Sequence, residues 1–393
     1  TSIRADFAIG DMATARITLP LPRPAHVAPN ATIEWQSGHN DFVGTTFSGY
    51  VPDLTFAMTR RGDTLELIAV GWKMLLQEPF RDDLVYPGPV DAGAIFVDLC
   101  ERAGVPAYVA GAALTPAGSP LLLGGNPQID DGAFTIRANS NPVGQLEREI
   151  NPFGMYVTDV PLGATGLHRV LGTPSEPPVV TFREGVHLGE TRRPYVTRDI
   201  VNVWDVRGAT YEDAYGGEVP IRSIADPDTV PAHPEIRGGY RYRQVSNSGL
   251  VRDDLADAYR EALEIEHAAA DAPVRWEGVG VPGIAPGDAV VVEAETVEAS
   301  GPMWLVSLSL SDDEGGLMGD FEARAGAGVA RPGIVDRITI PIDAGVWHGG
   351  DETVSHYYHP APQGKRKTYP ITLPEGATAL NCRGWHHSWN SQT

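Results

Sequence analysis

Cysteine is nearly absent from this sequence. Its 393 residues include two cysteines, Cys100 and Cys382, and two isolated cysteines make neither a disulfide scaffold nor a zinc site. Cys100 lies within an apolar helical pattern, so we interpret it as a small buried hydrophobe. The sequence therefore predicts no disulfide framework, no metal centre and no cofactor.

Long apolar runs are also missing. No run approaches the roughly 20 apolar residues that a membrane-spanning helix requires. Arg4 and Asp6 interrupt the N-terminal stretch before an apolar segment forms. We therefore expect neither a membrane span nor a signal peptide.

Positive charge is scarce as well. Lysine and arginine total 30 against 51 aspartates and glutamates, which gives a formal net charge of -21. Proteins that bind nucleic acid through its phosphates need Lys and Arg, so we predict no nucleic-acid binding, sequence-specific or otherwise. An acidic surface is instead compatible with DNA passing close by without adhering.

Signatures of common catalytic sites are missing too: there is no Gly-x-Ser-x-Gly elbow, no phosphate loop and no dinucleotide fingerprint. The acidic groups at 82–83 and 312–314 fall in predicted turns and lack a calcium-loop pattern, so we interpret them as solvated loops rather than catalytic or calcium-binding pairs. His356 and His359 could supply two ligands of a metal site. However, Tyr357, Tyr358 and Pro360 disfavour the helix that would align the two imidazoles.

The tryptophans and histidines of residues 385–389 leave two interpretations open. They either stack on sugar rings or pack within a small β-structure, and we favour packing. We predict no catalytic, cofactor-binding or metal-binding residue, and therefore no enzyme.

Glycine and proline are abundant. The chain has 44 glycines and 33 prolines, and 42% of its residues are hydrophobic. Turn-forming residues spread between short apolar runs indicate a β-rich fold, and the length predicts two or three domains.

Residues 273–310 form the clearest pattern in the chain. We predict strands at 276–279, 289–297 and 304–310, with turns at 281–288 and at Ser300-Gly301-Pro302. Val290, Val292, Ala294 and Thr296 alternate with Glu293 and Glu295, which is typical of a strand with one buried face. The pattern predicts a β-meander.

The first 72 residues are also strand-rich, with predicted strands at 13–19, 32–35, 41–51 and 64–70. In the last of these, Leu65, Leu67 and Ala69 share one face. Arg61-Gly62-Asp63 is an adhesion motif in some proteins, but its Gly and Asp favour a hairpin turn here.

Helices are predicted between and within the strand-rich regions. Asp91 caps a helix that Gly104 ends, and Asn141 caps a second short helix that starts with Pro142. A third helix is predicted at 253–270, where Glu266 falls on the apolar face and is expected either to reach solvent or to contact another subunit. Further strands are predicted at 155–160, 167–171 and 179–183. Residues 105–131 and 205–239 are predicted to be a long loop and a surface connection.

Several of these segments resemble phage tail hub proteins, which are related to baseplate hubs and to type VI secretion spikes. The turn PGIAPGD at 282–288, followed by a valine-rich strand, is similar to the second barrel of that family. The segment DIVNVWDVRG at 199–208 is similar to its opening strand, and residues 41–51 with 68–72 resemble a strand pair of its first barrel. The helix, Phe-Gly and strand pattern of residues 141–171 resembles its inserted subdomain.

The resemblance implies a mainly β fold with an α+β insertion. It predicts a first small β-barrel at 1–80, an α+β insertion at 81–195, a second small β-barrel at 196–326 and a C-terminal β extension or attachment segment at 327–393.

The resemblance also implies a structural virion protein located in a phage tail. Such a hub forms a homotrimeric ring that closes the tail tube, anchors distal tail proteins and lets the genome pass during ejection. Expected partners are tail tube or distal tail proteins, the tape measure, and fibre or tip proteins. Two alternatives are a tail-associated hydrolase of cell wall or polysaccharide, which requires two carboxylates about 5 to 10 Å apart, and a carbohydrate-binding β-module protein.

Overall fold

The computed structural model of the chain contains two compact units, Thr1–Val329 and Ala330–Thr393. It describes residues 2–20, 30–39, 42–59, 62–109, 115–125, 132–161, 163–194, 200–213, 215–225, 230–233, 236, 238–267, 273–297, 299–313, 316–324, 346–348 and 366–368. Predictions for residues 325–345, His356, His359, Cys382 and residues 385–389 lie outside these ranges.

Strands dominate the described residues, which confirms the mainly β class. They are β1 Ser2–Ala8, β2 Thr14–Pro20, β3 Ala31–His39, β4 Phe42–Thr59, β5 Gly62–Val70, β6 Leu84–Tyr86, β7 Val90–Asp91, β8 Ala107–Val109, β9 Leu122–Leu123, β10 Phe134–Ile136, β11 Met155–Val160, β12 Ala164–Arg169, β13 Val180–Arg183, β14 Leu188–Arg192, β15 Val203–Glu212, β16 Glu218–Ile224, β17 Tyr242–Ser246, β18 Val274–Val279, β19 Ala289–Ala294, β20 Ala299–Asp313, β21 Gly316–Arg324, β22 Val346–His348 and β23 Arg366–Thr368.

In the described part of the chain, α-helices interrupt the strands at α1 Ala92–Ala103, α2 Pro142–Ile150 and α3 Asp253–His267. The Asp91 carboxylate accepts hydrogen bonds from the amides of Gly93 and Ala94, and Gly104 ends α1 in the left-handed region at φ 69°. The Asn141 side chain caps α2 by accepting a hydrogen bond from the Gly144 amide at 2.8 Å, so the caps predicted for the first two helices are confirmed.

An 11-stranded sheet runs through both strand-rich regions in the order β14-β18-β21-β20-β1-β2-β5-β4-β3, with β19 and β13 branching from β20. The two regions join because β1 pairs antiparallel with β20, from Ile3 opposite Asp312 to Ala8 opposite Ser307. Among the described strands, the sheet closes into neither of the two separate barrels that the resemblance implied. A single bridge between Glu184 and Leu188 links β13 to β14 without extending into a ladder.

The three strands of the predicted meander are confirmed as β18, β19 and β20, but the meander itself is not, because β18 pairs with β21 and β14 while β19 pairs with β20. The second turn is also not where the sequence placed it. β20 runs through Gly301 and Pro302, which lie opposite Val292 and Val291. The turn falls instead in a short 3-10 helix, Glu295–Val297, because Glu184 accepts a hydrogen bond from the Thr296 amide at 3.0 Å. Thr296 is therefore exposed rather than buried.

Two predicted loops contain strands. Residues 105–131 include β8, which pairs parallel with β12, and residues 205–239 include most of a β15–β16 hairpin. Both were missed because their strands are short or carry many polar residues, so period-two alternation is weak there. The third helix is confirmed as α3, and its Glu266 is exposed to solvent.

Among the described residues, most buried hydrophobic side chains form two large cores, and Ile200 and Ile236 form a small separate pair. The sheet core, under the 11-stranded sheet, contains the aromatic group Phe182, Trp276 and Phe321, with ring centroids 4.9 to 5.2 Å apart. The helix core lies among α1, α2, α3 and the β16-β15-β17 sheet, and Trp204 is its largest buried side chain. The opening strand of the predicted second barrel, β15, thus packs in the helix core.

Candidate assembly surfaces and a buried polar junction

The acidic residues singled out as catalytic alternatives lie on different elements of the described structure. Asp82 and Asp83 are exposed, and the Asp83 carboxylate accepts a hydrogen bond from the Ala138 amide at 2.6 Å. Asp312 lies far along the chain on β20, opposite Ile3. Within the described ranges there is no group of three His, Cys, Asp or Glu side chains that could hold a metal ion. No helix in those ranges is long and apolar enough to cross a membrane.

The solvent side of the 11-stranded sheet carries an acidic patch, here called the acidic sheet face: Glu277 and Val279 on β18, Met318 and Asp320 on β21, and Asp6 on β1. Glu277 lies directly opposite Asp320, and Val279 directly opposite Met318. Val279 and Met318 are 51% and 45% exposed. A groove of about 540 Å³ opens beside Glu277 and Asp320 on this face. Its lining also includes Arg4, Arg192 and Arg275, each paired with a neighbouring carboxylate, so Glu277 and Asp320 supply its excess negative charge.

A second surface lies on the three-stranded β16-β15-β17 sheet. We call it the arginine–tyrosine face: Asp205 and Arg207 on β15, Arg222 and Ile224 on β16, and Tyr242 on β17. Arg207 lies directly opposite Arg222. Ile224 and Tyr242 are 47% and 63% exposed. Tyrosine and arginine are enriched where protein interfaces concentrate their binding energy.

One carboxylate organises this second surface. Asp205 accepts hydrogen bonds from Arg222 at 2.8 and 3.1 Å and from Arg207 at 3.0 and 3.3 Å. The bonds from Arg222, followed by those from Arg207, lower the pKa of Asp205. Two guanidinium groups therefore share one negative charge, and one positive charge remains in excess.

A buried polar junction connects the sheet core to the helix core. Lys73 follows β5 and is 2% exposed. Its ammonium donates to Glu147 Oε1 on α2 at 2.6 Å, to the Val157 carbonyl on β11 at 2.8 Å, and to the Gly10 carbonyl between β1 and β2. The three donors of the ammonium thus have three acceptors from three different parts of the chain.

Asp159 completes the junction. Its carboxylate accepts hydrogen bonds from the amides of Lys73 at 2.7 Å and Ala13 at 3.0 Å. Burial raises the pKa of Asp159 to about 6, against the lowering effect of these bonds. Gly71 approaches so closely that a Cβ there would lie 2.0 Å from Asp159 Oδ2, which explains a glycine just before the Trp72-Lys73 turn.

His168 on β12 is a buried imidazole between two glycines. A Cβ at Gly166 would lie 2.3 Å from its Nε2, and one at Gly287 would lie 2.5 Å from its Nδ1. Neither ring nitrogen has a hydrogen-bond partner among the described residues. Burial lowers the pKa of His168 to about 4, so the imidazole is neutral at pH 7.

The two surfaces, the junction and His168 were not predicted from the sequence. Lysine is rare in this sequence, and Lys73 directly follows the Gly71-Trp72 pair of the family-like strand. This position of a rare lysine is the one sequence signal that could have indicated the buried junction. The two surfaces depend on strand pairings between distant segments, which leave no local pattern.

The fold is similar to those of solved phage tail proteins. The 43 kDa tail protein of prophage MuSo2 from Shewanella oneidensis is 15% identical with a TM-score of 0.51, over 83% of this chain and 94% of that one. The tail protein from Neisseria meningitidis MC58 is 12% identical with a TM-score of 0.55, over 82% and 91%. No protein-family model matches the sequence. No curated protein matches it either. The resemblance to phage tail proteins is therefore confirmed in the fold.

Proposed function

We propose that this chain is a structural protein of a phage tail, the hub of a tail tip or baseplate. The observation that carries the proposal is a fold shared with two phage tail proteins over more than four fifths of the chain. The ordered sequence motifs of residues 199–208 and 282–288 support the same assignment.

In this role three copies form a ring that continues the tail tube, anchors distal tail proteins and surrounds the passing genome. Two strand-rich regions per chain, joined in one sheet through β1 and β20, suit a ring that presents six similar segments to a sixfold tube. Closed rings also remove exposed strand edges.

Acidic side chains near the bore would keep DNA from adhering. Glu293 and Glu295 are both exposed. The Glu293 carboxylate is paired with Arg183 at 2.9 Å, so Glu295 is the better candidate for this task.

The proposal is tested by electron microscopy of tailed particles decorated with a gold-labelled antibody against this chain. We expect label at the distal end of the tail and three copies per particle ring. Label on the capsid or along the whole tube would refute the hub role, and any other copy number would refute the trimer.

A structural role also predicts that the purified protein leaves peptidoglycan and capsular polysaccharide intact. Release of soluble sugar or peptide fragments by the wild-type chain would favour the hydrolase alternative instead.

A further inference from the structure

The acidic sheet face and the arginine–tyrosine face each contain like charges in direct register. Glu277 faces Asp320 across β18 and β21, and Arg207 faces Arg222 across β15 and β16. Like charges directly opposite each other destabilise a sheet. A chain keeps such pairs at a cost unless another charge compensates them.

Compensation is present on one face and incomplete on the other. Asp205 bonds both arginines of the arginine–tyrosine face. On the acidic sheet face, neither Glu277 nor Asp320 forms an ion pair with any residue that the structure describes. The negative charge of Glu277 interacts with Arg192, but the guanidinium of Arg192 is already hydrogen-bonded to Glu190.

Each face also exposes apolar side chains beside its charges. Val279 and Met318 lie two residues along the strands from Glu277 and Asp320. Ile224 lies two residues from Arg222, and Tyr242 lies at the start of the neighbouring β17. Both surfaces thus combine a partly exposed apolar pair with charge, and the charges have opposite signs.

We propose that the acidic sheet face of one copy binds the arginine–tyrosine face of a second copy. Arg207 and Arg222 then meet Glu277 and Asp320, while Ile224 and Tyr242 cover Val279 and Met318. Because Asp205 already orders both guanidinium groups, little side-chain entropy is lost when they bind the partner carboxylates.

Two different faces of each copy take part, so the contact is head-to-tail. Repetition of a head-to-tail contact closes into a ring when the rotation permits. The inference therefore rests on the proposed hub function and names the surfaces through which its ring closes.

The test inverts each face separately and then both together. The first variant carries Glu277→Arg and Asp320→Arg. The second carries Asp205→Arg, Arg207→Glu and Arg222→Glu, which preserves the internal ion pairs while reversing their sign. The full-length chains are compared by sedimentation or light scattering over a concentration series, and thermal melting verifies that each is folded.

We expect each single-face variant to weaken self-association at least tenfold, and the chain with both faces inverted to recover it. Controls with matched charge changes, Asp82→Arg with Glu101→Arg and, separately, Arg81→Glu, should associate as the wild type does. If a face variant does not fold, Ile224→Ser with Tyr242→Ser tests the same contact without inverting charge, and its association should also fall.

Folded single-face variants that associate as tightly as the wild type would overturn the inference, as would a doubly inverted chain that stays dissociated. A wild-type chain that remains monomeric at high concentration would overturn it too. None of these results moves the antibody label from the tail end, so failure of the inference is distinguishable from failure of the hub function.

Discussion

Lys73 shows how a single residue can connect two cores. A lysine is almost never fully buried unless it is paired, and here the Glu147 carboxylate and two backbone carbonyls accept from its ammonium. Burial raises the pKa of Glu147, and the neighbouring Lys73 charge opposes that rise. The pair is therefore stable only when both partners are present.

Replacing Lys73 by Ala should lower the free energy of unfolding by about 3 kcal/mol, because it removes the counter-charge of the buried Glu147 carboxylate and a donor to two backbone carbonyls. Urea unfolding at pH 7 measures the change. The matched control is Arg102→Ala, which removes an exposed pair with Asp98 and should cost less than about 1 kcal/mol. Equal losses in the two variants would contradict a buried junction.

His168 predicts an acid-sensitive contribution to stability. The pKa of His168 in the folded chain is about 4, below the usual 6.5. Between these two pH values the unfolded chain therefore binds a proton at this imidazole and the folded chain does not. Stability from this group is present above pH 6.5 and is lost as the pH falls toward 4. Between pH 8 and pH 5 the loss is about 2 kcal/mol.

Asp159 and Asp288 act in the opposite direction. Burial raises the pKa of each carboxyl to about 6. Protonation of each carboxyl therefore raises the free energy of unfolding as the pH falls through 6. The wild-type curve sums these effects, and comparison with His168→Leu isolates the histidine. Unfolding free energies at pH 8 and pH 5 should show the smaller acid loss in the variant, whereas parallel curves would contradict a neutral buried imidazole.

At the scale of elements, β19 demonstrates how strand phase decides burial. The side chains on one face of β19 are at most 1% exposed: Val290, Val292 and Ala294. Glu293, on the other face, is exposed. The adjacent β20 has a bulge between Leu305 and Ser307, so the buried set changes phase from Leu305 to Leu308 and Leu310. A bulge inserts one residue and shifts the side-chain alternation.

Val292→Asp should therefore unfold the sheet core, since it places an unpaired charge at a fully buried position, at a cost of more than about 4 kcal/mol. Thermal melting followed by circular dichroism measures the loss. Val186→Asp provides the matched control, because Val186 is 68% exposed in the β13–β14 turn and should melt as the wild type does. An unchanged melt for Val292→Asp would show that the strand phase is wrong.

At the scale of the whole molecule, the long strand β20 unites distant parts of the chain. It pairs with β1, β19 and β21, so strands from both ends of the first compact unit share one core. Cooperative unfolding of that unit follows from the shared core.

The compact units predict the effect of a truncation. Deletion of residues 334–393 should leave the remaining chain folded and oligomeric, because the first unit ends at Val329 and has its own two cores. Melting temperature and sedimentation, compared with the full-length chain, measure the outcome. Loss of soluble protein after the deletion would count against a separate C-terminal attachment segment.

The sequence by itself determined what depends on neighbours along the chain. Period-two alternation predicted β2, β5, β18, β19 and β20. The side chains of Asp91 and Asn141 predicted the starts of α1 and α2, and the glycine at 104 predicted the end of α1. Such signals are local, because one residue satisfies the backbone groups of the next few. The family resemblance added the mainly β class with its helical insertion.

Tertiary structure alone decided how those elements combine. The β1–β20 ladder joins residues about 300 apart, and the β19–β20 turn is held by Glu184, which directly follows β13. Lys73 is buried because Gly10, Glu147 and Val157 accept its hydrogen bonds. The candidate surfaces likewise exist only after distant strands pair. Strand pairing and the burial of polar groups depend on partners far along the chain, and a short stretch of sequence does not identify those partners.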